Sequence, residues 1–238
     1  MRIELNAYSH RWFEFFHIGI SEGRTAQETA FICRCAPLPC FRKVLDVCCG
    51  MGRHARALSK HGYSVIGLDR EANAIAKART LTGGPTYVNA DVRDYVLDPG
   101  MFDVAIIMSQ SFGYFDAITN REVLGRLADG VREGGRIILD LWSAEFFMIH
   151  QGRCEFKTPG GVVRETKYAE EGRLFVHLDY PDGGEDRFEW QLFTPALMIS
   201  MAESVGLRQL LACTAFDETT PPSPTNPRVQ FVFERCRD

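Results

Sequence analysis

Residues 43–62 constrain this chain more than any other stretch. Lys43-Val44-Leu45-Asp46-Val47 is a short apolar strand with an acid near its end, and it runs directly into Cys48-Cys49-Gly50-Met51-Gly52. The next residues, from Arg53 to about His61, read as a helix that Gly62 stops. Glycines in such a loop let a ligand approach the backbone, and the N-terminus of the following helix then lies beneath it. The pattern repeats downstream. Strands are predicted over 64–69, 86–90 (ending at Asp91), 102–108 and 136–141, with helices over 71–79 and 118–131 and a turn at Glu133-Gly134-Gly135. Strands alternating with helices imply βαβ units and a parallel, doubly wound α/β sheet.

The flanks differ from this core. Residues 8–20 are rich in aromatics, and Trp12, Phe15 and Phe16 share one helical face. A second helix is predicted to start near Thr25, with Thr25-x-x-Glu28 as a capping box. After residue 152 the helical signals fade. Strands over 162–168, 174–180 and 186–193, with turns at Glu170-Glu171-Gly172 and Asp182-Gly183-Gly184, form a small antiparallel insertion. Thr194-Pro195 opens a helix that Gly206 ends, and strands over 207–213 and 229–234 close the chain. The 238 residues suit a single domain: 1–40 a helical cap, 41–151 the core, 152–193 the insertion, and 194–238 the closing helix and strands.

The strand tips carry the chemistry. Gly50-x-Gly52-x-x-Ala55, with Asp69 following Gly50 by 19 residues, fits a dinucleotide fingerprint. A nicotinamide-dependent oxidoreductase is therefore one reading. Asp46 argues against it: a carboxylate beside the glycine loop repels a diphosphate and attracts the α-ammonium and sulfonium of S-adenosylmethionine. Asp69 suits the ribose hydroxyls of either ligand. Asp91 can accept from an adenine amine, and the Val92 amide can meet a ring nitrogen. Residues 109–115, Ser-Gln-Ser-Phe-Gly-Tyr-Phe, follow the fourth strand and border the crevice where open α/β sheets bind ligands.

Leu45-Asp46-Val47-Cys48-Cys49-Gly50-Met51-Gly52-Arg53-His54-Ala55 and Ser111-Phe112-Gly113-Tyr114-Phe115 resemble the class I S-adenosylmethionine-dependent methyltransferases, closest to small-molecule members. Trp12-Phe13-Glu14-Phe15-Phe16 and Glu22-Gly23-Arg24 look like the same group. The resemblance implies a Rossmann-like seven-stranded sheet in the order 3-2-1-4-5-7-6, strand seven antiparallel, with S-adenosylmethionine as cofactor. It places the methionine part on the loop 46–52, including Cys48, Gly50 and Gly52, with Ser109 near that end. It gives the ribose to Asp69 and the adenine to Asp91 and Val92, and it brings Trp12, His54 and Arg70 to the cofactor. The commoner loop has glycine where Cys48 stands.

Composition narrows the acceptor. Net charge is −4 and no basic run stands out, so a small metabolite is expected and a nucleic acid is not. No stretch reaches the roughly 18 apolar residues of a membrane span, and no secretory signal precedes the core, so a cytoplasmic enzyme is expected. The eight cysteines read as free thiols, and no metal is expected: Cys33-x-Cys35-x4-Cys40 lacks paired knuckles and histidines. Candidate acceptor-pocket residues are Tyr8, Trp12, Phe16, Tyr114, Trp142, His150 and His177. Tyr8, Tyr114 and His150 are the candidates for proton transfer, with none singled out. The expected activity is methyl transfer to a nitrogen or oxygen of a small metabolite, such as an amino sugar or natural-product precursor. A cofactor-binding module without turnover stays open. Residues 152–193 suit either a substrate lid or the surface of a homodimer.

Overall fold

The computed structural model describes residues 5–12, 15–16, 20–158 and 160–236. Two helices, α1 (His10–Trp12) and α2 (Glu22–Cys35), precede the sheet. The core then alternates: β1 (Lys43–Val47), α3 (Arg53–Lys60), β2 (Ser64–Asp69), α4 (Ala72–Thr80), β3 (Thr86–Asn89), β4 (Phe102–Ile107), α5 (Ala117–Gly130) and β5 (Val131–Trp142). A short α6 (Ala144–Ile149) leads into β6 (Gly152–Thr158), β7 (Gly161–Glu170), β8 (Arg173–Asp179) and β9 (Glu185–Gln191). The chain closes with α7 (Pro195–Glu203), β10 (Leu207–Cys213) and β11 (Arg228–Arg235).

The main sheet has the order β10-β11-β5-β4-β1-β2-β3. Strands β1 to β5 pair in parallel, and β11 runs antiparallel to both neighbours. This is the expected 3-2-1-4-5-7-6 order, with β11 as the seventh strand and β10 as the sixth. Alternation along each strand sorts side chains into two layers. Leu45, Val47, Ala105, Ile107, Ile137, Leu139, Phe231 and Phe233 face α5 and α7. Val44, Val104, Ile106, Ile138 and Val232 face α2, α3 and α4. Both faces are covered, which is why these strands read as continuous apolar runs. The strand order reverses between β1 and β4, which stay paired to Val47 opposite Ile107, so the connections that follow them part and a crevice opens at their carboxyl ends.

The small sheet, β6-β7-β8-β9, is antiparallel throughout. Its inner face, with Val176, Leu178, Phe188 and Trp190, packs on Phe147 of α6 and on Tyr8, Trp12, Phe15 and Phe16. The sequence predicts three of its strands and misses β6, whose side chains are exposed almost throughout and so carry no apolar alternation. Two other expectations are corrected. The second helix begins at Glu22, capped by Ser21, whose hydroxyl accepts the Arg24 N–H at 3.1 Å; Thr25 and Glu28 lie inside the helix. Glu133-Gly134-Gly135 is a bulge within β5, where the pairing with β4 steps from Val131 to Arg136. Of the aromatic segment, helix is seen at His10–Trp12 and a wider π-type turn at Phe15 and Phe16. Phe13 and Glu14 lie outside the described residues. Among the described residues no helix is long and apolar enough to cross a membrane.

One buried acid joins the sheet to the loop that follows β4. Asp140 on β5 is fully buried and accepts from the Ser109 N–H (3.0 Å), from Arg228 Nε (2.9 Å) and from Gln230 (2.8 Å). Its carbonyl accepts the Gln110 N–H, and Ser109 and Gln110 both adopt left-handed backbone conformations. Removing one member of a buried charge pair strands the other, at about 3–5 kcal/mol. Asp140→Ala is expected to lower unfolding stability by about 3 kcal/mol in urea titrations. An unchanged midpoint would show that the loop is held by other contacts.

Candidate active site

A cavity opens at the carboxyl ends of β1, β2 and β4, roofed by the N-terminal segment. Its enclosed free volume is about 150 Å3.

Asp46, next to last in β1, lies on the cavity wall at 1% exposure, and its Oδ2 has no hydrogen-bond partner among the described residues. Burial pushes its carboxyl up to about 7, against the opposing pull of Arg53 and the Ala55 N–H. An orphaned carboxylate of this kind is costly unless a cation meets it. Asp69 ends β2. Its Oδ2 accepts the Gly50 N–H at 2.7 Å and its Oδ1 the Glu71 N–H at 2.8 Å. Burial raises its pKa although these two N–H groups pull it down. A carboxylate accepts about four hydrogen bonds, so two places are left. Cys48 stands in the left-handed region, φ +56°, which explains why glycine is the commoner residue there. Burial raises its thiol pKa, followed by the charge of Asp69, so the thiol stays protonated. Gly50 also has positive φ, and a Cβ on it would enter open space. Gly52 does not line the cavity: a Cβ there would collide with the Tyr87 ring, so this glycine serves packing.

Sequence reasoning missed a buried charge cluster on the same wall. Glu28, fully buried on α2, accepts from Arg24 Nε (2.9 Å), His54 Nε2 (2.8 Å) and Arg53 Nη1. Burial opposes its ionisation, but the His54 hydrogen bond and the Arg53 charge outweigh that and hold the carboxyl far below its usual range. Burial in turn lowers the His54 pKa, so its ring is a neutral donor. Arg53 continues to Ser109, donating to Oγ at 2.7 Å, and lines the cavity with His54. The signal was present as Thr25-x-x-Glu28, where the buried glutamate reads as a helix cap.

Asp91 and Val92 reach the rim. Arg93 grips Asp91 through its own N–H (2.9 Å), Nε (3.0 Å) and Nη2 (2.7 Å), which lowers the Asp91 pKa. The same guanidinium lies 4.5 Å above the Phe115 ring. Arg70 lines the cavity and donates to the Asn6 carbonyl. Opposite stand Tyr8, Trp12 and Tyr114. The Tyr8 and Tyr114 hydroxyls are hydrogen-bonded to each other, and burial raises both pKa values. The other acceptor-pocket candidates lie off this wall. His150 is exposed and stacks on Phe146, donating to its carbonyl at 2.9 Å. Trp142 packs on Phe147 and Trp190, and Phe16 on Phe156. His177 lies on the outer face of the small sheet, 2.5 Å from Glu185 and 3.4 Å from Asp179. Cys33, Cys35 and Cys40 form no converging ligand set among the described residues.

Residues 44–135 match the methyltransferase domain family. The chain is 25% identical over 160 residues to a glycine/sarcosine N-methyltransferase of Parasynechococcus marenigrum, covering 60% of this chain and 55% of that one. It spans between 30% and 65% of the length of the curated relatives compared. Among solved structures, an S-adenosylmethionine-dependent methyltransferase from Clostridium acetobutylicum superposes with a TM-score of 0.79 at 14% identity, covering 96% of this chain and 97% of that one. CalS10, an amino pentose methyltransferase from Micromonospora echinaspora, gives 0.73 at 18%, covering 98% and 99%. The fold is that of the Rossmann-like methyltransferases.

Asp46 generates a prediction about stability. Its folded pKa of about 7 lies above the unfolded value near 3.9, so the native state holds the extra proton between these limits. Native stability therefore falls as pH rises through that window. Asp46→Asn cannot titrate, and it is expected to gain on the wild type by about 1 kcal/mol per pH unit between pH 5 and 7, levelling above. Parallel stability curves for the two proteins in denaturant titrations would refute the buried charge.

Proposed function

We propose that this chain is an S-adenosylmethionine-dependent methyltransferase that methylates a nitrogen of a small metabolite. The observation that carries the reading is Asp46, a carboxylate on the cavity wall with an oxygen that has no hydrogen-bond partner among the described residues. It fits the α-ammonium of the cofactor and repels the diphosphate of a dinucleotide. The methyltransferase-domain match, and the fold shared with a methyltransferase solved with S-adenosylmethionine bound, support the same cofactor.

The remaining residues fit that ligand. Asp69 has two acceptor places left for ribose hydroxyls, and it braces Gly50, whose missing side chain leaves space against the loop. Asp91 keeps one place for an adenine amine beside the Val92 amide, with Arg93 fixing its carboxylate. Trp12, His54, Arg70 and Ser109 border the same space, with Cys48 in the loop. Gly52 belongs to the packing of α3 against Tyr87 and is not assigned a contact.

Bound S-adenosylmethionine supplies an activated methyl group on a sulfonium. The protein's task is then to align the acceptor and exclude water, and positioning of this kind is worth about 7–11 kcal/mol. The acceptor wall favours an amine. A hydroxyl acceptor needs a base to take its proton. The Tyr8 and Tyr114 hydroxyls are held neutral by burial, and His54 is committed to Glu28. An amine sheds its proton to water before it binds, and the tyrosine oxygens then orient its lone pair.

Calorimetry tests this reading. S-Adenosylhomocysteine is expected to bind and NADH to give no heat; the reverse would overturn the proposal. Asp69→Ala is expected to weaken S-adenosylhomocysteine binding about 10- to 100-fold, as loss of hydrogen bonds to a charged group predicts. Affinity is expected to rise with pH up to about 7, because a bound cation favours ionised Asp46. Formation of S-adenosylhomocysteine only when an amine acceptor is added would separate an enzyme from a module that binds without turnover.

A further inference from the structure

The outer face of the small sheet carries a cluster that the methyltransferase reading does not use. His177 and Asp179 stand two residues apart on β8, so their side chains leave the same face of the strand. Across the ladder Asp179 faces Glu185 of β9, and His177 faces Arg187. The ligand atoms of His177, Asp179 and Glu185 all lie within 4.8 Å of one another. Strand register fixes this arrangement, because all three residues stand on paired backbone.

A hydrogen bond accounts for only part of the cluster. His177 Nε2 meets Glu185 Oε2 at 2.5 Å and stands 3.4 Å from Asp179 Oδ1. One ring nitrogen carries one proton, so it serves one carboxylate. The Asp179 carboxylate receives no hydrogen bond among the described residues. Arg187 Nη2 reaches the same Glu185 oxygen at 3.2 Å, from a half-exposed side chain that is free to turn into water. On the other flank, Arg164 of β7 sits opposite Asp179 in the ladder and donates to Glu155 instead. A proton joins two of the three groups, whereas a divalent cation joins all three and offsets the charge of two carboxylates. Ligands about 2.1 Å from a tetrahedral ion stand about 3.4 Å apart. That is the spacing between His177 and Asp179. An imidazole among the ligands favours a first-row transition ion over magnesium or calcium, which bind through oxygen.

We propose that His177, Asp179 and Glu185 form a site for a divalent transition-metal ion of the zinc class, with water completing the coordination. None of the three lines the cavity, and the proposal rests on no part of the methyltransferase reading. The ion clamps the two strands beside the turn at 180–184. Asp182 of that turn pairs with Arg11, next to the cavity-lining Trp12, so the clamp acts on the hairpin that holds the roof.

The probe is Co2+, whose visible spectrum reports its ligands, titrated into the full chain with a phosphine reductant present. Calorimetry on the wild type is expected to show saturable binding, with d–d bands and no thiolate-to-cobalt charge transfer. His177→Ala is expected to weaken binding at least about 10-fold, since losing a ligand costs no less than losing the partner that orients one. Glu185→Gln keeps the shape and drops the charge; it is expected to act alike, and it replaces His177→Ala should that variant fail to fold. The proposal falls if the wild type binds no Co2+. It falls equally if the heat and spectrum persist unchanged in both variants, as they would for an ion held by the cysteines.

Discussion

A hydrogen bond of 2.7 Å from the Gly50 N–H to Asp69 ties the glycine loop to the neighbouring strand. With the bond from the Cys49 N–H to the Leu68 carbonyl, at 3.0 Å, it fixes the height of the loop after β1 above the sheet, so that the acids at the strand tips face one space. The bond is made possible by parallel pairing: β1 and β2 run in register from Lys43 opposite Ser64 to Val47 opposite Leu68, so their ends arrive together. Burial on both sheet faces then forces polar function to those ends, because the strand interiors are committed to packing.

The acids there are held in three physical states. Asp140 is fully partnered and structural. Asp91 is gripped by one arginine and keeps part of its capacity. Asp46 is left short of partners, at a cost in native stability that a cationic ligand removes. This gradation separates support from binding better than burial does, since Asp46 and Asp140 are both buried. Buried polar groups are nearly always satisfied in native proteins, so an exception on a cavity wall carries information about what belongs there.

Much of this was legible in the sequence. Apolar runs ending in acids at Asp46 and Asp69 mark strands whose interiors are buried and whose tips are not, and the sheet order follows from the family resemblance. The N-terminal half was harder to read. Thr25-x-x-Glu28 has the spacing of a helix cap, and only the fold reveals that Glu28 meets Arg53, 25 residues away. Strand β6 left no trace because an exposed edge strand needs no apolar face. Gly52 shares a motif with Gly50, yet one faces open space and the other an aromatic ring, a difference set by β3 and invisible in the loop itself. His150 and His177 looked useful as residue types; the fold turns one onto a helix end and the other onto the outside of the small sheet.

The N-terminal segment that roofs the cavity is stitched to the small sheet. Asn6 exchanges hydrogen bonds with β9 at Arg187 and Glu189, Ser9 reaches Asp186, and Arg11 pairs with Asp182. Among its links to the core are a hydrogen bond from the Arg70 guanidinium to the Asn6 carbonyl and the contact between the Tyr8 and Tyr114 phenols. Roof and small sheet are thus bonded to each other, and the small sheet is bonded in turn to the loop after β4, where the Gln191 N–H donates to the Gly113 carbonyl at 2.7 Å and Arg173 to that of Phe115. The roof's position over the strand tips is therefore set through β9, so a substitution in that strand reaches the cavity without lining it.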